Sequence, residues 1–146
     1  MVFCSQLTNF LTKTIIMKTK FIKTMFAFVA AFALVVSTVS ATVVNVQTYS
    51  GSWGSEVSWD LVEDATGTIL LSGSGYASGT TYDAYIDLPD PGSYTLNMYD
   101  SFGDGWNGGY VNIIDSLSGN IGYTLGTGFT TGSSYVESFT LPMGTF

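Results

Sequence analysis

Thr81-Tyr82-Asp83-Ala84-Tyr85-Ile86-Asp87-Leu88-Pro89-Asp90-Pro91-Gly92-Ser93-Tyr94-Thr95-Leu96-Asn97-Met98-Tyr99 is the stretch that decides the fold. Up to Leu88 it sets Tyr82, Ala84, Ile86 and Leu88 against Thr81, Asp83, Tyr85 and Asp87. That period of two gives an extended strand one apolar and one polar face. Pro89-Asp90-Pro91-Gly92 stops the strand, because proline cannot donate to a ladder and proline and glycine set turn geometry. A second alternating run follows at once, Ser93 to Tyr99, with Tyr94, Leu96 and Met98 on one side.

The same rhythm continues outward in both directions. Upstream lie Thr68 to Gly73, offering Ile69 and Leu71, and Glu56 to Val62, with Val57, Trp59 and Leu61 opposed to Ser58 and Asp60. Before them comes Val43 to Thr48, with Val44 and Val46 on one face. Downstream are Tyr110 to Ser116 with Val111 and Ile113 inward, Asn120 to Leu125, and Ser134 to Leu141 with Phe139 and Leu141. Eight short strands, punctuated about every dozen positions and with no helical stretch, predict an all-β, antiparallel, jelly-roll-like β-sandwich. Trp59, Tyr94 and Phe139 alternate with polar neighbours and are expected in its core. If successive strands run antiparallel, alternate connections fall at opposite ends. The short turns 63–67, 89–92 and 117–119 then share one end, and the longer loops 49–55, 74–80, 100–109 and 126–133 share the other.

The segment before Thr42 differs in kind. It holds all four basic residues (Lys13, Lys18, Lys20, Lys23), the apolar run Met25 to Val36, and the small-residue sequence Ser37-Thr38-Val39-Ser40-Ala41. That order is a positive, apolar and cleavable leader, and the apolar run of about twelve residues is shorter than the roughly twenty of a spanning helix. Residues 17–41 are therefore read as a signal peptide, 1–16 as an upstream extension of the reading frame, and 42–146 as one secreted domain without a membrane span. That domain keeps all eleven Asp and Glu and none of the Lys and Arg, a side-chain charge of −11 against −7 for the whole chain. It contains no His or Cys either, so neither an internal salt bridge nor a disulfide can hold it. Nothing in it can neutralise phosphates, which excludes DNA and RNA as partners.

Between the fifth and sixth strands stands Asp100-Ser101-Phe102-Gly103-Asp104-Gly105-Trp106-Asn107-Gly108-Gly109, oxygen-bearing side chains alternating with glycines. Calcium takes six to eight oxygens, and glycines let a short loop fold back to supply them. Against an EF-hand, Asp100, Asp104, Gly105 and the Trp106 carbonyl fit positions one, five, six and seven, but Phe102 and Val111 fall where oxygens belong. The ligand set expected is Asp100, Asp104, the Trp106 carbonyl and Asn107, completed by Glu56 from the same end of the sandwich. Magnesium, with its strict octahedron, and zinc, without His or Cys, fit less well. The competing explanation is plain turn chemistry, with Asp and Asn bonding their own backbone.

Ser55-Glu56-Val57-Ser58-Trp59, Leu88-Pro89, Gly92-Ser93-Tyr94-Thr95-Leu96 and Tyr99-Asp100-Ser101-Phe102-Gly103-Asp104-Gly105-Trp106-Asn107-Gly108 resemble a module, often tandemly repeated, of secreted and cell-surface proteins of protists and bacteria. The resemblance runs from about Val43 to Leu141. It implies an extracellular β-sandwich that serves as a binding or adhesive accessory, associated with calcium. Here a single copy stands without an enzymatic partner.

Trp53, Tyr76, Trp106 and Phe129 fall in the longer loops, where aromatic faces stack on sugar rings or protein partners or, alternatively, cap the core beneath. Carbohydrate or a cell-surface or matrix protein is thus the expected partner. Catalysis is not expected, since a serine has no usual base and only carboxylate pairs remain. The alternative role is a structural subunit of a coat, fibre or matrix, in which exposed sheet edges pair between copies.

Overall fold

Val44, Val46, Val57, Trp59, Leu61, Leu88, Tyr94, Leu96, Met98, Val111, Ile113, Phe139 and Leu141, residues on the apolar faces of the alternating runs, are buried, while Leu71, Ala84 and Ile86 are half-buried and Tyr82 is exposed. The structure, a computed structural model, describes residues 40–144. The expected upstream extension and all but the last two residues of the expected leader lie outside that range. Eight strands follow in order: β1 (Ser40–Tyr49), β2 (Val57–Glu63), β3 (Thr68–Ser74), β4 (Thr81–Asp90), β5 (Gly92–Asp100), β6 (Tyr110–Asp115), β7 (Ile121–Leu125) and β8 (Ser134–Leu141). They form two four-stranded sheets, β4-β1-β6-β7 and β3-β2-β5-β8, with every strand pairing antiparallel. The protein is an all-β sandwich.

Its connectivity refines the jelly-roll expectation. The adjacency is that of a jelly roll entered at its third strand: β1 to β6 occupy the third to eighth places, and β7 and β8 the first and second. The Thr81 to Tyr99 stretch is split accordingly, with β4 in one sheet and β5 in the other, and the Pro91 turn carries the chain between layers.

The core lies between the sheets. Each fully buried Leu or Val stabilises by about 1.5–3 kcal/mol relative to exposure. Buried polar tips find partners: the Trp59 indole N–H donates to Thr48 Oγ1 at 3.1 Å, and the Tyr94 hydroxyl donates to the Pro89 carbonyl.

β4 runs two residues past Leu88, through Pro89 and Asp90, which pair with Ala41 and Ser40, so only Pro91 breaks the ladder. Three further departures from the sequence expectations have physical causes. Ile69, expected inward, is exposed, because Leu61 pairs with Leu71 while Val62 pairs with Ile69. The extra residue, Leu70, is a bulge, and a one-residue slip turns the following side chains to the opposite face. β1 begins at Ser40, with Ser40 and Ala41 paired to Asp90 and Pro89, so the strand reaches two residues into the expected leader. Glu56 ends a single 3₁₀ turn, Gly54–Glu56, instead of opening β2.

Candidate metal centre at the loop end

The strand registers place the four longer loops together. Tyr49 at the end of β1 lies opposite Thr81 and Tyr110, Asp100 at the end of β5 lies opposite Val57, and Tyr99 lies opposite Ser134. Backbone hydrogen bonds stitch the loops to one another: Ser52 N–H to the Asn107 carbonyl, Gly79 N–H to Gly51, Ser101 N–H to Glu56, Trp106 N–H to Phe129, and Gly132 N–H to Gly103. Two glycines make this approach possible. A Cβ on Gly51 (φ +64°) would sit 2.6 Å from the Trp106 carbonyl oxygen, and one on Gly105 (φ +89°) 2.6 Å from that of Phe129.

Asp100 organises the acidic loop from within. It is 3% exposed, and its Oδ2 accepts the backbone N–H groups of Gly103, Asp104 (2.8 Å) and Gly105 (3.1 Å). This is turn chemistry, and it uses one oxygen only. The other oxygen, Oδ1, is buried with no hydrogen-bond partner. A buried acceptor left unmatched costs about 1–3 kcal/mol, more when charged.

Asp100 also belongs to a cluster. Glu56, Asp100 and Asp104 each offer a carboxylate oxygen, and these lie within 4.8 Å of one another. Oxygens at that spacing can share one cation at the 2.3–2.6 Å distance that calcium takes. The burial is graded, with Asp100 buried beneath, Glu56 half-buried and Asp104 exposed. Negative charge is concentrated here without an internal counter-charge, because no Lys, Arg or His occurs among the described residues. Partial burial, reinforced by the charges of Asp100 and Asp104, raises the pKa of Glu56. The donor set, the spacing and the unmatched buried oxygen together fit a divalent metal ion.

The remaining expected ligands also bond within the loop. Asn107 sits at φ +50°, in the left-handed region that Asn tolerates, and its Nδ2 donates to Asp104 Oδ1 at 2.8 Å and to the Gly105 carbonyl at 3.0 Å. The second bond fixes the amide with nitrogen toward Asp104, so Asn107 braces Asp104 through its Nδ2. The Trp106 carbonyl accepts the Gly109 N–H at 2.8 Å and closes the turn.

The aromatic set divides. Trp106 is 1% exposed; its indole N–H donates to the Tyr99 carbonyl at 2.9 Å and its ring lies 5.9 Å from that of Phe129. Phe129 is likewise buried, and stacks on Tyr135 at 5.5 Å. These two cap the core beneath the loops and present no ligand face. Tyr76 is half-buried against Tyr82, with its hydroxyl turned in over Gly73 toward Trp59 and its pKa raised chiefly by burial. Trp53 is 58% exposed, three residues before Glu56. Phe102 is 77% exposed between Asp100 and Asp104, and the sequence reading, which treated it only as a missing oxygen, passed it over. Its signal was position: an apolar ring at the tip of a polar, Gly-rich loop has no strand to bury it.

No family model, curated protein or solved structure matched the chain.

Proposed function

We propose that this chain is a secreted extracellular β-sandwich module in which calcium binds Glu56, Asp100 and Asp104 and holds the loop end in a form that binds carbohydrate or a cell-surface or matrix protein. The observation that carries the metal is Asp100, a buried carboxylate grouped with two others, with one oxygen saturated by backbone donors and the other buried and unmatched. Calcium suits hard, all-oxygen ligands in a flexible loop better than magnesium or zinc does. Secretion rests on the leader pattern of residues 17–41, and adhesion on the acidic-loop resemblance. The role is non-catalytic, since the domain offers no His, Cys or Lys to activate a nucleophile.

Calorimetry tests the metal directly. A scan in calcium is expected to show a higher Tm than one in EDTA; identical transitions would remove the cation from the reading.

A further inference from the structure

The carboxylate cluster gives a bound cation an incomplete shell. Asp100 contributes one oxygen, because its Oδ2 is committed to three backbone N–H groups. Glu56 and Asp104 contribute at most two each, so the carboxylates alone leave a cation that prefers six to eight oxygens short, and the remainder comes from loop carbonyls, Asn107, water or a ligand. The gradient of burial sets the direction of the opening: Asp100 closes the floor and exposed Asp104 lies at the rim.

The surroundings of that opening limit what fills it. Trp53, three residues before Glu56, and Phe102, between Asp100 and Asp104, are both exposed on the two loops that supply the cluster. Three carboxylates exceed the charge of one divalent ion, and the domain carries no positive side chain that would attract a phosphate, sulfate or uronate. What suits such a rim is a ligand with neutral oxygen donors on one edge and an apolar face on the other. A pyranose ring meets both requirements.

Resting on the calcium reading above, we propose that the loop end binds neutral glycans through the cation. Two adjacent hydroxyl oxygens of one sugar complete the coordination shell, and the C–H face of its ring lies on Trp53 or Phe102.

The test uses the full chain expressed in a secreting host, with immobilised yeast mannan and a neutral galactan as probes and phosphatidylserine vesicles as the anionic alternative. Retention on at least one polysaccharide in calcium, with release by EDTA, is expected. The Trp53→Ala, Phe102→Ala double variant should keep the calcium-dependent rise in Tm while retention weakens about tenfold or more. A calcium-dependent Tm without retention on either polysaccharide overturns the glycan inference and leaves the calcium reading standing. So does retention that persists in EDTA, retention undiminished in the double variant, or binding to the vesicles alone. Absence of any calcium effect on Tm overturns the calcium reading itself, and the inference with it.

Discussion

The two ends of the sandwich handle their carboxylates in opposite ways. At the turn end Asp115 is satisfied within its own turn: it accepts the Leu117 and Ser118 N–H groups and the Ser118 hydroxyl, and these bonds hold its pKa below the ordinary value. Glu63 accepts the Thr66 hydroxyl three residues on, and Asp64 that of Thr95. At the loop end Glu56, Asp100 and Asp104 converge from two loops, the pKa of Glu56 is raised, and Asp100 keeps one oxygen unmatched. Acidic residues in Gly-rich turns therefore carry two meanings in one chain. What separates them is burial: of these carboxylates only Asp100 has a buried oxygen without a hydrogen-bond partner.

The sharpest way to break this contrast is Asp100→Ala. It strands three backbone N–H groups as well as removing a cluster oxygen, and is expected to cost at least about 3 kcal/mol by denaturant titration in chelator. Asp100→Asn separates the two roles: its amide oxygen still accepts the loop N–H groups, so the fold persists in EDTA, while the response to calcium is lost. An Asn variant that still responds to calcium would detach the cluster from the metal.

Next in size is calcium itself. At about a hundred times its Kd, a ligand confined to the folded state adds about 2.7 kcal/mol. For a domain of this length that is roughly 10 °C or more in Tm. Asp104→Ala should abolish the rise; a Tm gain equal to the parent's would sink the assignment of Asp104.

A pH series in EDTA sharpens the contrast further. Because the folded pKa of Glu56 lies above its ordinary 4.5, its stabilising contribution is complete below that value and is lost as pH climbs through the raised one. Asp115 has the opposite sign: its contribution is present above the ordinary 3.8 and lost as pH falls through the lowered value. Thermal melts of the chelated protein should thus decline on the alkaline side of the Glu56 titration, and Glu56→Gln should flatten that decline without touching the acid limb. Smallest of all is Asp115→Asn, expected to give a slight fall in Tm that calcium leaves unchanged; a calcium-sensitive loss there would erase the difference between the ends.

How much of this was legible in the sequence varies with the range of the interaction concerned. Strand identity and facing depend on neighbours two residues apart, so Val57-Trp59-Leu61 and Tyr94-Leu96-Met98 were readable directly. Parity alone gathered the longer loops, and through them brought Glu56 to Asp100 and Asp104. Ile69 was misread because a bulge is a property of two paired strands, and Thr68 to Gly73 carries no mark of the extra residue at Leu70. For Trp106 and Phe129 the sequence left a ligand face and a cap over the core both open; the cap holds, because an indole whose N–H reaches a backbone carbonyl, here that of Tyr99, can be buried without a polar penalty. Asn107 has the residue type of a ligand, but only the Gly105 carbonyl beside it reveals which end of its amide faces Asp104.

The register at the turn end carries one more consequence. Ser40 pairs with Asp90 and Leu141 with Gly92, so the chain enters and leaves the sandwich on either side of Pro91, at the pole opposite the acidic cluster. A tether or neighbouring copy attached at either place would hold the domain by its base and leave the carboxylate rim pointing away. Copies strung head to tail could then each display that rim without blocking the next.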